Sequence, residues 1–276
     1  MQIDGNTKIY GIMGHPVSHS LSPAMHNAAF QTCGLNNVYV PFDVVDVPRA
    51  LDGFRSLGVR GVSVTIPHKQ SVIPYLDCID PVAQSIGSVN TLCIDDTKIH
   101  GHNSDWIGAN KALEMIVDLP SSKVLVLGAG GAARAIGFGL QEKGATVVIA
   151  NRTAAKGLAL ARDLNSEYFS LTDMSDLKAD VLVNATAVGM MPLSDATPVP
   201  KSVLQNFPAV MDIVYAPMET RLLAEAKQVG CQTVDGTHML LYQGVAQFEL
   251  WTGLSAPVDV MREKLLSHLK DSSGDQ

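Results

Sequence analysis

Residues 123–153 limit what this chain can become more than any other stretch. Lys123-Val124-Leu125-Val126-Leu127 is a run of β-branched and leucine side chains, the pattern of a strand buried on both faces. It ends in Gly128-Ala129-Gly130-Gly131-Ala132-Ala133, which opens an alanine- and glycine-rich helical segment reaching Lys143. Gly144 breaks that helix, and residues 145–150 read as a second buried strand. Strand, glycine turn, helix and strand in this order make a β-α-β unit with a dinucleotide-binding turn. Gly128 permits the tight turn, Gly130 lets backbone approach a pyrophosphate, and Ala133 sits where helix presses on strand. Free N–H groups and the helix dipole then hold phosphate.

The end of the second strand selects the cofactor. A free ribose 2′-hydroxyl usually meets Asp or Glu there, but this chain offers Asn151-Arg152-Thr153, with Lys156 one turn on. A planar guanidinium at 152 suits a 2′-phosphate and stacks on adenine. The same residue also suits an exposed helix start. The expectation is NADP (NADPH).

With 276 residues, 46% of them hydrophobic, the chain is long enough for two domains. A net charge of -7 and a pI near 5.5 argue against a nucleic-acid or anionic-membrane partner. The start, Met1-Gln2-Ile3-Asp4, lacks the basic and apolar regions of a signal peptide, and no apolar run approaches a span of about 20 residues. Cys33, Cys78, Cys93 and Cys231 lack CxxC spacing, which predicts reduced cytoplasmic thiols, mostly buried as small hydrophobes. His100 and His102 have no further ligands nearby, so no metal is expected.

Before the glycine turn, strands are predicted over 9–13, 38–45 and 61–66, with helices over 24–32 and 48–56. Ser22 reads as the N-cap of the first helix, with Pro23 at its first position. Alternation of this kind predicts an α/β domain with ligand groups at strand ends. Ser18, Ser20 and Ser22 crowd the first loop, as ligand hydroxyl partners or as ordinary turn residues. Lys69 follows a buried strand through Pro67, a position facing either a cleft, as a general acid or base, or open solvent. A strand at 92–94 and a turn at Asp95-Asp96 come next. Asp105 precedes a helix over 106–117 and reads equally as its N-cap.

Further on, a helix is predicted over 155–164, strands over 181–184 and 210–214, and amphipathic helices over 239–251 and 258–269. Residues 271–276 read as a frayed tail. The loop 186–200 reads either as a nicotinamide wall, with Met190 against the ring, or as a surface crossover. Met211 and Met218 read as core filler, and Tyr215 as a residue in reach of substrate.

Several motifs together resemble shikimate dehydrogenase. They are Ser18-His19-Ser20-Leu21-Ser22-Pro23, Val64-Thr65-Ile66-Pro67-His68-Lys69 and Asn103-Ser104-Asp105. The glycine turn, Asn151-Arg152-Thr153, Asn184 through Thr186 to Gly189-Met190, Asp212-Ile213-Val214-Tyr215, and Asp235-Gly236 through Met239 to Gln243 continue the likeness in order. The resemblance implies NADP-dependent reduction of 3-dehydroshikimate to shikimate, on the way to chorismate and aromatic amino acids, by a monomer or homodimer. By position, Ser18 and Ser20 would hold the substrate carboxylate, with Thr65, Asn90, Tyr215 and Gln243 around the rest. Lys69 and Asp105 would be the catalytic pair, also touching substrate. The cofactor would lie on residues 128–133, Asn151, Arg152, Thr153, Lys156, Thr186, Gly189, Met190, Ile213, Gly236 and Met239. The implied fold has an α/β substrate-binding domain at 1–104, a Rossmann-type NADP domain with a parallel sheet at 105–236, and closing helices at 237–276.

Three positions depart from the family's commonest pattern. Ser63 stands for asparagine, Ser88 for alanine, and Trp106 for the glycine after the catalytic aspartate. A quinate/shikimate dehydrogenase of broader range is the nearest alternative. A cofactor-binding regulator without turnover is the alternative from another class.

Overall fold

The computed structural model describes residues 3–95 and 98–274. Met1 and Gln2 of the expected leaderless start, Asp96 of the expected turn, and the last two residues of the expected tail lie outside the described residues. The chain divides into two compact units, residues 1–104 with 243–276, and residues 105–242. The division falls at 242/243, six residues beyond Gly236 and inside a helix.

The first unit holds β1 (Lys8–Gly14), α1 (Ser22–Thr32), β2 (Asn37–Asp43), α2 (Val47–Ser56) and β3 (Gly61–Val64). After these come β4 (Cys78–Ile79), α3 (Pro81–Ile86), β5 (Thr91–Asp95) and β6 (Lys98–His102). Among the described residues they form a six-stranded sheet, order β2-β1-β3-β5-β6-β4. β1 runs parallel to β2 and β3, whereas β5 is antiparallel to both its neighbours. The connection from β5 to β6 is too short for a crossover and can only make a hairpin. One consequence places the site: the carboxyl ends of β1, β3 and β6 and the amino end of β5 share one edge of the sheet. Met13, Leu51, Phe54, Val62, Val64, Leu92 and Ile99 fill the core beneath.

The start of α1 corrects the expected cap. Ser22 is already helical, Leu21 holds the cap position, and Ser20 Oγ accepts the Ser22 N–H at 3.3 Å. No side chain caps this helix, so the cap expected of Ser22 is not made. Elsewhere the local rules hold. Asp46 caps α2 by accepting the Arg49 N–H, and Leu51 and Phe54 lie on its buried face.

The second unit holds α4 (Asp105–Leu113), β7 (Lys123–Leu127), α5 (Gly131–Glu142), β8 (Thr146–Ala150), α6 (Ala154–Asp163) and β9 (Glu167–Phe169). It continues through β10 (Val181–Asn184), β11 (Ala209–Asp212), α7 (Arg221–Gln228) and β12 (Gln232–Val234). α8 (Gly236–Thr252) begins here and ends in the first unit, which α9 (Val258–Gly274) completes; residues 271–274 continue that helix instead of trailing as a tail. The sheet is parallel throughout, order β12-β11-β10-β7-β8-β9. Alternate residues of each strand enter two cores: Val124, Val126, Ile149 and Val183 on one face, Leu125, Leu127, Val148 and Leu182 on the other. Each such side chain stabilises the fold by about 1.5–3 kcal/mol, which is why these strands read as unbroken apolar runs.

Met211 is fully buried as expected, but Met218 is 45% exposed, because it lies in the turn after β11 and off the sheet. The cysteines also differ from expectation. Cys78 is exposed on the two-residue strand β4, and Cys33, Cys93 and Cys231 are half-buried. Among the described residues no helix is long and apolar enough to cross a membrane.

Candidate active site

At the ligand edge of the first sheet, the β3 chain continues through Thr65, whose N–H donates to Met13 O at 2.9 Å. It then turns at the cis Ile66–Pro67 peptide. His68 is buried and its Nε2 lies 2.7 Å from Val44 O, while the Val89 N–H donates to Lys69 O at 2.8 Å. These two anchors, on either side of the Lys69 side chain, fix where that half-buried lysine starts. The first loop reaches the same edge, with Ser18 exposed and Ser20 half-buried. His15 ties the loop down, its N–H donating to Ile66 O and its Nδ1 lying 2.8 Å from Asp43 Oδ1.

Asn90 is a buried member of the expected substrate residues. It is 2% exposed, and its Oδ1 accepts from the Ser104 N–H at 2.8 Å and from Thr91 Oγ1 at 2.7 Å. Its Nδ2 donates to Ser104 Oγ at 3.0 Å and faces Gln243 Oε1 at 3.4 Å. Next door, Asn103 Nδ2 donates to Ser88 O at 2.8 Å. The two residues preceding Asp105 are thereby pinned to the start of β5. Asp105 itself is buried as the first residue of α4, one place inside the cap position considered for it. Trp106 after it packs edge-on against Phe138 of α5, with ring centroids 6.0 Å apart, and against Gly139. The bulky residue at a usual glycine position thus holds α4 on α5.

In the second unit the parallel strands deliver their carboxyl ends to one edge. Order reverses between β7 and β10, the switch point where open α/β sheets take ligands. Gly128 sits there with φ +120°, and a Cβ on it would stand 2.9 Å from Ala185 O. Gly130 caps α5 without any side-chain hydrogen bond, and a Cβ there would meet nothing within 4 Å. The N–H groups of Gly131, Ala132 and Ala133 thus begin a helix that no side chain caps. Ala133 is fully buried, pressed into the core as its size requires. At the end of β8, Asn151 Nδ2 donates to Thr153 O at 2.9 Å, and Arg152, Thr153 and Lys156 are exposed.

The loop after β10 is ordered by a polar set in which the sequence assigned a role to Thr186 but none to Asn184 or Asp212, which entered only as motif positions. Asn184 Oδ1 accepts from Thr186 N and Thr186 Oγ1, and Thr186 Oγ1 accepts the Val188 N–H. Asn184 Nδ2 donates to Asp212 Oδ1 at 2.9 Å, and Asp212 also accepts from Val214 N and Thr220 Oγ1. Burial nonetheless pushes the Asp212 carboxyl up to about 6. Polar residues closing two apolar strands, at 184 and 212, were the available signal. Gly189 has φ +92°, and Met190, Ile213 and Tyr215 are half-buried at this edge. Gly236 packs so tightly on Ile213 O that no Cβ fits. Met239, like Ala133, is buried in the core, at 6% exposed.

Residues 12–92 match the shikimate dehydrogenase substrate binding domain, residues 109–213 the shikimate/quinate 5-dehydrogenase family, and residues 236–266 the shikimate 5′-dehydrogenase C-terminal domain. The shikimate dehydrogenase (NADP(+)) of Methanothermobacter thermautotrophicus is 46% identical over 275 residues, covering 95% of this chain and 97% of that one. A crystal structure of a shikimate dehydrogenase in complex with NADP+ superposes with TM-score 0.91 at 43% identity, covering 97% of this chain and 98% of the other. The Thermus thermophilus enzyme, in complex with NADP(H) and shikimate, gives TM-score 0.87 at 39% identity over 94% of this chain and 99% of its own. Likeness of this degree along nearly the whole length means that the chain belongs to the shikimate dehydrogenase (NADP+) family.

Proposed function

We propose that this chain catalyses the reversible, NADP-dependent reduction of 3-dehydroshikimate to shikimate, an oxidoreductase step toward chorismate and the aromatic amino acids. The observation that carries the reading is a relative named for this activity that aligns over 95% of the chain. The site geometry agrees with it. An uncapped helix start at a switch point, with Arg152 exposed at the next strand end, suits a dinucleotide bearing a 2′-phosphate.

NADPH, when bound, supplies the hydride that reduces the ketone. Residues 128–133 offer N–H groups to its pyrophosphate, Arg152 with Asn151, Thr153 and Lys156 takes the 2′-phosphate, and Thr186, Gly189, Met190, Ile213 and Gly236 border the nicotinamide. Met239 supports α8 from the core. Ser18 and Ser20 take the substrate carboxylate, and Thr65, Asn90, Tyr215 and Gln243 its ring and hydroxyls. Lys69 and Asp105 form the catalytic pair. A protonated Lys69 stabilises the negative charge growing on the carbonyl oxygen and passes the proton. Polar groups buried as deeply as Asn90 and Gln243 reject a ligand lacking the matching hydroxyl, since they would be left unpaired. A cytoplasmic monomer or homodimer without nucleic acid completes the reading; the charge of -7 supports the last point.

Initial rates of shikimate and quinate oxidation, each with NADP+ and with NAD+, test it on one sample. Fast turnover is expected only with shikimate and NADP+. Comparable quinate or NAD+ rates would move the protein to a broader dehydrogenase, and no turnover in any combination would leave a cofactor-binding regulator.

A further inference from the structure

Beneath Asn90 a buried chain of hydrogen bonds crosses the first unit. Tyr39 OH donates to Ser63 Oγ at 2.6 Å, and Ser63 Oγ donates to Gln247 Oε1 at 2.7 Å. At the other end of the same amide, Gln247 Nε2 donates to Asn90 O at 3.2 Å and to Thr91 Oγ1 at 2.9 Å. Thr91 Oγ1 in turn donates to Asn90 Oδ1. All of these side chains are at most 5% exposed.

The direction of each bond is forced. A backbone carbonyl can only accept, so Asn90 O requires the nitrogen end of the Gln247 amide, which leaves the oxygen end for Ser63. Because Thr91 Oγ1 accepts from Gln247, its one proton goes to Asn90 Oδ1 at 2.7 Å, which is nearer than Ser104 Oγ at 3.4 Å. Oδ1 also receives the Ser104 N–H, a donor that cannot reverse. The Asn90 amide is therefore set with its nitrogen toward Ser104 Oγ and Gln243 Oε1. Gln247 lies one helical turn after Gln243, so the two project from the same side of α8. Ser63, which departs from the family's commonest residue, is the partner that lets Gln247 close the chain.

We propose that Gln247 is a positioning residue for substrate recognition: through Thr91 it reinforces, beside the Ser104 N–H, the orientation of the Asn90 amide toward a ligand hydroxyl or carbonyl oxygen. The proposal rests on reading Asn90 as a substrate contact. Gln247 itself is 1% exposed and acts from behind.

The test uses Gln247→Met, which keeps the side-chain length and removes both ends of the amide, together with Thr91→Val, the double variant, and Asn90→Ala. Steady-state kinetics with shikimate and NADP+ are the readout. Losing one orienting hydrogen bond is expected to raise KM for shikimate about 3- to 10-fold, with KM for NADP+ unchanged. If Gln247 acts through Thr91, the double variant is expected to be no worse than the poorer single variant. A Gln247→Met protein with unaltered shikimate KM overturns the proposal, as does a double variant whose losses multiply. Impairment by Asn90→Ala beside a normal Gln247→Met removes only the positioning role, whereas normal kinetics in Asn90→Ala remove the reading beneath it. Should Gln247→Met fail to fold, Thr91→Val alone interrogates the same link, and an unchanged shikimate KM there counts equally against it.

Discussion

Lys69 and Arg152 are the two residues whose charge bears most directly on the proposed reaction. Lys69 is half-buried and its backbone is anchored on both sides, so a substitution removes an ammonium without moving the turn. Lys69→Ala is expected to lower kcat about 10²–10⁴-fold, the usual scale for a proton-transfer group. NADPH binding, followed by its fluorescence, should persist; near-normal turnover would take Lys69 out of the mechanism. Arg152 is exposed at the end of β8. Losing a charge-assisted contact of about 1.5–3 kcal/mol should raise KM for NADP+ roughly 10- to 100-fold in Arg152→Ala, while leaving KM for NAD+ unchanged. Equal losses with both cofactors would deny the guanidinium its role in selection. These residues were legible because their chemistry is tied to short motifs. Gln247 was not, because its partner Ser63 is 184 residues away in sequence, and Asp212 was legible as a motif position but not as the acceptor for Asn184, 28 residues away.

At the scale of elements, the turn from β7 into α5 is set by backbone geometry more than by side chains. Gly128 combines φ +120° with a close approach to Ala185 O, so an added methyl meets both strain and a carbonyl. Gly128→Ala is expected to destabilise the second unit by about 1–3 kcal/mol and to weaken NADP+ binding, measured by urea melts and by titration. A variant that melted and bound like the parent would show that the turn relaxes freely. The strand–turn–helix–strand pattern here was readable because local sequence dictates each part. β4 and β6 escaped notice, since a two-residue strand and the return arm of a short hairpin carry almost no periodicity. The start of α1 was misread by one residue, since the helix begins at Ser22 with Leu21 in the cap position and no side-chain cap.

For the whole molecule, two buried titrating groups make the units respond oppositely to acid. His26 is fully buried, stacked 4.5 Å from Tyr39 and set against the Gln247 side chain. Burial lowers its pKa from 6.5 to about 3. Between those values the unfolded chain takes a proton that the folded unit refuses. The first unit's stability therefore falls as pH drops below 6.5, by at most about 1.4 kcal/mol per pH unit. Asp212 has the opposite sign. Its folded value of about 6 lies above the ordinary 3.8, so the folded second unit takes a proton first and gains stability as pH falls through that range. Hydrogen-exchange protection of β3 and β5 amides is expected to drop from pH 7 to 4.5 relative to that of β10 and β11. His26→Phe should flatten the first unit's loss, and an undiminished loss in that variant would exclude His26 as its source. What the sequence determined by itself was the strand–turn–helix–strand unit, the glycine turn with its cofactor preference, and the motif residues, because each rests on neighbours within a few positions. Only the tertiary structure decided that β5 reverses direction, that Met218 leaves the core, and that Asn90, Ser63 and Gln247 share one buried chain. Hydrogen bonds and packing act through space, and a linear pattern does not record which distant side chains a fold brings within about 3 Å of each other.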